Sequence, residues 1–168
     1  GDNVVVQDPS YPIHHYAPLI AGANVIKIEC LSSENFLNNL NITLTSQKVK
    51  AVLVSFPHNP TTLTVNQEFY DELVNLARRY NFLIINDFAY SDIYFNEEKP
   101  PSLLNSDPQF DHTVELYSLT KGYSMAGWRV GFAVGNESAI SSLTKLKSYI
   151  DYGTFQPIQI ASTVAINE

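Results

Sequence analysis

The segment SLTKGYSMAGWRVG, residues 118–131, places a lysine after an apolar run and an arginine eight positions later. Only ten of the 168 residues are Lys or Arg, so two cations at the end of a predicted strand are unusual. A lysine ammonium buried without a partner costs free energy or loses its proton. Lys121 and Arg129 are therefore candidates for a functional site.

Further polar side chains follow other apolar runs, at the points where those runs end. In open α/β sheets, ligands bind beyond the carboxyl ends of the strands, so we expect these side chains to line one concave edge of a single sheet. The edge would carry an acid, an amine, phenols, an amide, a hydroxyl and a guanidinium. The candidate residues are Tyr11, Asn59, Asp87, Tyr90, Ser118, Lys121 and Arg129.

This set of side chains suits catalysis with pyridoxal 5'-phosphate (PLP). The amine of Lys121 can form an imine with the cofactor aldehyde and later act as a base. A carboxylate at Asp87 can keep the pyridine nitrogen protonated, so that the ring accepts electrons from a breaking Cα bond. Tyr90 and Asn59 can donate hydrogen bonds to the ring oxygen.

The remaining candidates suit the other parts of the same cofactor. Arg129 and the Ser118 hydroxyl can supply charge-assisted and neutral hydrogen bonds to the phosphate. Tyr11 can cover the ring face. Taken singly, each of these residues has an ordinary structural explanation, such as a turn, a cap or an ion pair. Their order along the chain favours the site.

The elements that must position these residues are alternating strands and helices. Apolar runs predict strands at residues 3–7, 24–29, 50–56, 82–87, 113–119 and 127–136, and helical spacing occurs at 66–81, 137–152 and 156–167. The last strand follows its predecessor after a short connection, which favours antiparallel placement. We predict an α/β fold: a three-layer sandwich with a mostly parallel, mixed sheet.

Composition excludes several classes of function. A net charge of -7 argues against nucleic-acid and anionic-membrane surfaces, and no apolar run is long enough to cross a membrane. Cys30 is the only cysteine, which favours a reducing compartment, and we expect a cytoplasmic protein. His14, His15 and His58 have no acidic residue at ligand spacing, so structural or outer-sphere roles are expected and a metal site is not.

Three segments resemble the signature segments of the class I/II aminotransferases, which are PLP enzymes of fold type I. They are SFPHNPTT (55–62), NDFAYSDIYF (86–95) and YSLTKGYSMAGWRVGFAVGN (117–136). The resemblance extends over essentially all 168 residues. It implies that Lys121 is the Schiff-base lysine and Asp87 the partner of the pyridine nitrogen. It also implies that Tyr90 and Asn59 donate hydrogen bonds to the ring oxygen. Arg129 and Ser118 would be phosphate ligands, and Tyr11 would be the stacking aromatic.

The resemblance also implies the reaction and the assembly. Family members transfer an amino group between an amino acid and a 2-oxo acid, and they act as homodimers. DPSYPIHHYAPLIAGANV (8–25) and KSYIDYGTFQPIQ (147–159) are most similar to bacterial glutamate-pyruvate (alanine) aminotransferases and their diaminopimelate aminotransferase relatives. Other fold-type-I enzymes, such as carbon-sulfur lyases, and PLP-binding regulator domains share the same cofactor residues and stay open as alternatives.

Family members are more than twice as long as this chain. We therefore expect residues 1–168 to be a partial PLP-binding large domain, without the upstream phosphate-binding segment and the C-terminal small domain whose arginine binds the substrate carboxylate. That arginine has no counterpart among the residues after Lys121. We expect residues 1–168 alone to hold PLP weakly and to lack turnover. Two structural expectations follow: a cis peptide bond at Asn59–Pro60, and an exposed apolar patch that includes Tyr16, Ile20 and Ile160.

Overall fold

The computed structural model describes all of residues 1–168. Six strands form in chain order: β1 (Asn3–Asp8), β2 (Asn24–Glu29), β3 (Ala51–Val54), β4 (Leu83–Asp87), β5 (Thr113–Ser118) and β6 (Gly131–Gly135). The helices are α1 (Pro12–Ile20), α2 (Ser33–Ser46), α3 (Gln67–Tyr80), α4 (Leu119–Gly122), α5 (Glu137–Ile150) and α6 (Gln156–Asn167). Two short 3-10 turns lie at Leu103–Ser106 and Ala126–Trp128.

All six strands form one sheet, in the order β2-β1-β3-β4-β5-β6. The first five strands are parallel to their neighbours, and β6 is antiparallel to β5. The antiparallel pairing of β5 and β6 confirms the predicted placement, although the connection between them, residues 119–130, is longer than the one between the predicted strands. The sheet is therefore mixed and mostly parallel, as predicted.

The helices are distributed over both faces of the sheet. The chain moves from β1 outward to β2 through α1, then back across β1 to β3 through α2 and on to β4 through α3. Because parallel crossovers are right-handed, the reversal at β2 places α1 on the face opposite to α2 and α3. Helices α2 and α3 accordingly share one buried cluster with residues of β1, β3 and β4. The layers confirm the predicted α/β fold.

Local sequence fixes where the longer helices begin. Ser32, Asn66 and Asn136 precede α2, α3 and α5, and each side chain accepts a hydrogen bond from a backbone N–H of the first turn. Such caps satisfy donors that the helix itself leaves unpaired. Helix α3 ends at Asn81, which adopts the left-handed conformation (φ 56°) that often terminates helices.

The main core lies between the sheet and the α2–α3 layer. Its members include Val5, Val52 and Ile84, which are neighbours across β1, β3 and β4. Their side chains are fully buried against residues of α2 and α3, and Phe36 and Leu73 are completely inaccessible. Burial of this apolar area is the main favourable term that holds β1, β3 and β4 in register.

Apolar side chains are exposed elsewhere. Tyr16 and Ile20 on α1 and Ile160 on α6 are all exposed, as the sequence predicted for these three residues. Helix α5 buries none of its residues, and α6 buries only Ser162. None of the helices has both the length and the apolar content that crossing a membrane requires.

Three features of the fold differ from the sequence expectations. Strand β6 begins at Gly131 rather than at residue 127, because Ala126–Trp128 forms a 3-10 turn and Arg129 adopts a left-handed conformation (φ 55°). Strand β5 ends at Ser118, and Leu119 opens the short helix α4. Helices α1 and α2 are absent from the predicted elements, and α1 contains Pro18, a residue that is unfavourable inside a helix.

Candidate active site

The predicted site residues gather at one edge of the sheet. Strands β1, β3, β4 and β5 are mutually parallel, so their carboxyl ends lie together. These strand ends and the segments that follow them carry Tyr11, Asn59, Asp87, Tyr90, Ser118 and Lys121. Arg129 joins them because the antiparallel β6 starts where β5 ends, with Gly131 opposite Ser118. The prediction of a shared edge is confirmed, since Asp87 and Lys121 are not on opposite edges.

Asp87 is the last residue of β4, and both of its carboxylate oxygens are engaged. Oδ2 lies 2.8 Å from Nε2 of His14, and Oδ1 accepts a hydrogen bond from the backbone N–H of Ala89 at 3.2 Å. The Asp87 side chain is nevertheless 27% exposed, whereas that of His14 is 4% exposed. A carboxylate that is held on its inner side and open on its outer side can accept a hydrogen bond from a bound ligand.

His14 extends this contact away from the sheet. Its second ring nitrogen, Nδ1, lies 2.7 Å from the hydroxyl of Ser10. A proton on Nε2 lets the ring donate to Asp87 while Nδ1 accepts from Ser10. No pattern in the sequence predicts this pair, because His14 and Asp87 are 73 residues apart and meet only when α1 packs beside the end of β4.

Lys121 lies on the four-residue helix α4, directly after β5. Its side chain is exposed, which differs from the expectation of a buried ammonium at the end of a strand. No carboxylate lies within 4.0 Å of its amine. The amine lies over the ring of Tyr90, 5.6 Å from the ring centroid, so Lys121 and Tyr90 face the same space.

Asn59 approaches Tyr90 from the segment that follows β3. Its side-chain amide donates to the Tyr90 hydroxyl at 3.4 Å. The Asn59–Pro60 peptide bond is cis, as predicted, and the Asp8–Pro9 and Phe56–Pro57 bonds are also cis. Asn59 and Tyr90 therefore form a pair of hydrogen-bond donors near the amine of Lys121.

His58, next to Asn59, is buried, and its contacts agree with the structural role expected from the sequence. Its Nδ1 lies 2.6 Å from the Thr61 hydroxyl, and its Nε2 has no hydrogen-bond partner. Burial, with a smaller contribution from the neighbouring charge of His14, lowers the pKa of His58 to about 4. The imidazole is therefore neutral near pH 7 and stabilises the segment that carries Asn59.

Arg129 and Ser118 lie side by side at the start of β6 and the end of β5. The guanidinium of Arg129 is exposed, donates to the carbonyl of Ala126 at 3.2 Å and has no carboxylate within 4.0 Å. The Ser118 hydroxyl accepts from the backbone N–H of Thr120 at 3.2 Å, so its own proton can be donated to a ligand. Gly131 allows the close approach here, because a Cβ would lie 2.4 Å from the Tyr117 carbonyl.

Tyr11 precedes α1 and is 48% exposed. Its ring meets His14 edge-on, with 5.9 Å between ring centroids. This contact places Tyr11 one side chain away from Asp87. An exposed aromatic ring beside the carboxylate can cover a flat ligand that Asp87 binds.

A cavity of about 880 Å³ adjoins the outer part of this edge. Asn59, Tyr90 and His58 line it, together with residues from the segments after β3 and β4, whereas Asp87, Lys121 and Arg129 do not. The predicted residues therefore occupy the sheet edge and reach into one wall of this cavity rather than enclosing a single pocket.

The donor set fits the PLP molecule that the sequence suggested. Lys121 offers an amine and Arg129 a guanidinium, and neither has an acidic partner within 4.0 Å. Asp87 offers a carboxylate that His14 holds in place, and Asn59 and Tyr90 offer donors between the two ends. In that order, the amine, the guanidinium, the carboxylate and the two donors are complementary to the aldehyde, the phosphate, the pyridine nitrogen and the ring hydroxyl of PLP. The fold is that of an α/β domain, and this edge presents donors that suit a cofactor.

Comparison with known proteins gives the particular family. Residues 1–167 match the model of the family "Aminotransferase class I and II", and the chain belongs to that family. Members of this family use PLP as their cofactor. The resemblance found in the signature segments is thereby confirmed.

Two curated relatives match nearly the whole chain. The glutamate-pyruvate aminotransferase AlaC of Escherichia coli (strain K12) is 44% identical over 168 residues, covering 99% of this chain and 41% of AlaC. An LL-diaminopimelate aminotransferase of Nitratidesulfovibrio vulgaris is 40% identical over 171 residues, covering 100% of this chain and 44% of that protein. The chain thus spans about two fifths of the length of the curated relatives it matches.

A solved structure with the same fold is that of apo-BacF from Bacillus subtilis. It superposes on the whole chain with a TM-score of 0.91 at 32% sequence identity, and the match covers 43% of BacF. The agreement over all six strands and their helices supports the strand order described above.

Proposed function

We propose that the intact protein is a PLP-dependent aminotransferase that moves an amino group between an amino acid and a 2-oxo acid. The observation that carries the proposal is the placement of Asp87 at the carboxyl end of β4 and of Lys121 just after the carboxyl end of the adjacent strand β5, with Asp87 held by His14. Membership of the family gives this arrangement its chemical meaning.

Lys121 and Asp87 hold the two reactive ends of the cofactor in this proposal. The Lys121 amine would hold the cofactor through its aldehyde and would serve as the base for the proton of the substrate Cα. The Asp87 carboxylate would accept a hydrogen bond from the pyridine nitrogen, and Nε2 of His14, 2.8 Å away, holds that carboxylate in place. When bound, PLP supplies a protonated ring that accepts the electrons of the breaking Cα bond.

The other site residues orient the ring and the phosphate. Asn59 and Tyr90 donate to the ring oxygen, and the hydrogen bond between them fixes their relative positions. Arg129 and the Ser118 hydroxyl bind the phosphate, and Tyr11 covers the ring face. Arg129 is suited to this task because its guanidinium is permanently charged and has no acidic partner.

Glutamate and pyruvate are the substrates we propose first, because AlaC is 44% identical to this chain. LL-diaminopimelate is the second candidate, since relatives named for it are 40% identical over the whole chain. The residues described above bind the cofactor and not the substrate side chain. Assays of the intact protein with glutamate plus pyruvate, and with LL-diaminopimelate plus 2-oxoglutarate, distinguish the two.

We further propose that residues 1–168 are part of the PLP-binding large domain of a longer, cytoplasmic homodimer. The relatives are more than twice as long as the region they share with this chain. In this proposal, an upstream segment adds phosphate donors and a C-terminal small domain adds the arginine for the substrate carboxylate. The free, buried Cys30 suits a reducing compartment.

The decisive experiment locates the covalent attachment point. The intact protein is incubated with PLP, the linkage is fixed with borohydride, and the labelled peptide is mapped by mass spectrometry. We expect the label within LYSLTKGYSM, residues 116–125. Lys121→Ala should abolish both label and transamination, whereas Lys145→Ala, which removes an exposed lysine of α5, should change neither. Label found mainly on Lys145 or Lys147 would overturn the proposal.

A further inference from the structure

Asp92 links the two segments that carry Tyr90 and Lys121. Its carboxylate accepts a hydrogen bond from the Tyr117 hydroxyl on β5 and another from the Ser91 hydroxyl at 3.2 Å. We infer that Asp92 is a positioning residue that fixes the turn bearing Lys121 against the segment bearing Tyr90. This inference rests on the proposed function, because it assigns Asp92 a role in the placement of the reactive amine.

The backbone beside Lys121 lies directly against Asp92. A Cβ built on Gly122 would lie 2.8 Å from both Cβ and Oδ2 of Asp92 and 3.2 Å from its Cγ. The Cβ of Asp92 is attached directly to the backbone, so it cannot move aside as the end of a flexible side chain can. The two segments therefore pack directly against each other at this point. Any displacement of Asp92 is therefore transmitted to α4, one residue from Lys121.

Tyr117 provides the second point of attachment on the same strand. Its ring stacks on Phe132 of β6, with centroids 4.7 Å apart and planes inclined by 23°. Burial, and then the hydrogen bond and the charge of Asp92, raise the pKa of the Tyr117 phenol above its usual value. The phenol therefore remains a donor to Asp92 at every pH at which the protein would be assayed.

Asp92 thus contacts the chain on both sides of Lys121. It accepts a hydrogen bond from Tyr117, four residues before Lys121, and it abuts Gly122, the residue after Lys121. Asp92 also lies two residues after Tyr90 in the chain. Because Lys121 makes no ion pair of its own, the 5.6 Å distance between its amine and the Tyr90 ring depends on this brace.

The variants that test this role differ in how much of the brace they remove. Asp92→Ala removes the acceptor, and Tyr117→Phe removes the donor while keeping the ring stack. Asp92→Asn keeps an oxygen that can accept from Tyr117, and Glu97→Gln removes one exposed carboxylate from the same segment as a charge-matched control. Asp92 is exposed and Tyr117→Phe keeps the apolar ring, so these variants should fold, which a thermal melt verifies.

The first readout needs no cofactor. Reductive methylation of the intact protein with ¹³C-formaldehyde gives each lysine a resolved methyl resonance, and that of Lys121 should lie upfield of Lys145 because the amine lies over the Tyr90 ring. Asp92→Ala and Tyr117→Phe should move the Lys121 resonance toward that of Lys145. Asp92→Asn should restore most of the shift, and Glu97→Gln should leave it unchanged.

The second readout is the rate of borohydride-fixed PLP attachment to Lys121. We expect Asp92→Ala to slow attachment about tenfold or more, since a displacement of about 1 Å can cost about a hundredfold in a positioned reaction. Asp92→Asn should stay within about threefold of the wild-type rate. The two readouts separate the two proposals. Absence of label on Lys121 in the wild-type protein contradicts the proposed function. Normal wild-type labelling, with an unmoved Lys121 resonance and an unchanged rate in Asp92→Ala and Tyr117→Phe, overturns the role of Asp92.

Discussion

The buried imidazole of His58 should make the stability of the protein depend on pH. In the folded state, burial and the neighbouring His14 hold the pKa of His58 at about 4, whereas the ordinary value for histidine is about 6.5. Between these values the unfolded chain binds a proton that the folded chain does not. Stability therefore rises with pH in this window, and it is lost as the pH falls from about 6.5 to about 4.

The size of the effect follows from the difference between the two pKa values. A difference of one between the folded and unfolded pKa values corresponds to about 1.36 kcal/mol of stability. The difference between 6.5 and about 4 therefore corresponds to about 3 kcal/mol of the free energy of unfolding. Small domains are stable by about 5–15 kcal/mol, so this contribution is about a fifth or more of the total free energy of unfolding. The free energy of unfolding should be fully restored above about pH 7.

The matched perturbation is His58→Gln, which removes the titrating group from the same buried position. Urea unfolding followed by far-UV circular dichroism at pH 7 and pH 4 gives the free-energy difference for each protein. Wild-type protein should lose about 3 kcal/mol more than His58→Gln over this interval. Thr61→Val removes only the hydroxyl at Nδ1 and should keep the wild-type dependence, because burial is the larger cause of the lowered pKa.

Two results would refute this reasoning. His58→Gln could lose as much stability as the wild type between pH 7 and pH 4, or the His58 ring resonance of the wild type could titrate near pH 6.5. The nuclear magnetic resonance titration decides the matter even if His58→Gln does not fold, since it uses the wild-type protein alone.

Three further substitutions test other parts of the structure. Asp87→Ala in the intact protein should keep the PLP label on Lys121 but lose most turnover, and turnover near the wild-type rate would contradict the role of Asp87. Asn66→Ala should destabilise the protein by about 1 kcal/mol in urea unfolding, because it removes the cap bonded to the Phe69 N–H, while Asn66→Ser should cost less. Tyr70→Phe should change the free energy of unfolding by less than about 1 kcal/mol in the same assay, because the buried Tyr70 hydroxyl makes no hydrogen bond of normal length and Asn86 lies near it; a larger loss would show that the hydroxyl is bonded to Asn86.

The sequence by itself predicted the elements that follow from local periodicity. The strands at residues 3–8, 24–29 and 83–87 and the helix at 67–80 lie within two residues of their predicted bounds. Alternation of strands and helices predicted the mostly parallel sheet, and the order of Asn59, Asp87, Tyr90, Lys121 and Arg129 predicted one shared edge. These predictions succeed because the carboxyl ends of parallel strands must lie together, whatever their order in the sheet.

Only the tertiary structure decided which side chains touch across that edge. His14 contacts Asp87 although the two are 73 positions apart in the chain. Asp92 likewise contacts Tyr117 and Gly122, which lie 25 and 30 positions away. No local pattern predicts these contacts. The exposure of Lys121 likewise depends on where β5 stops and α4 begins. Strand order, crossover hand and side-chain packing set these distances, because they are properties of the assembled sheet and not of any single segment.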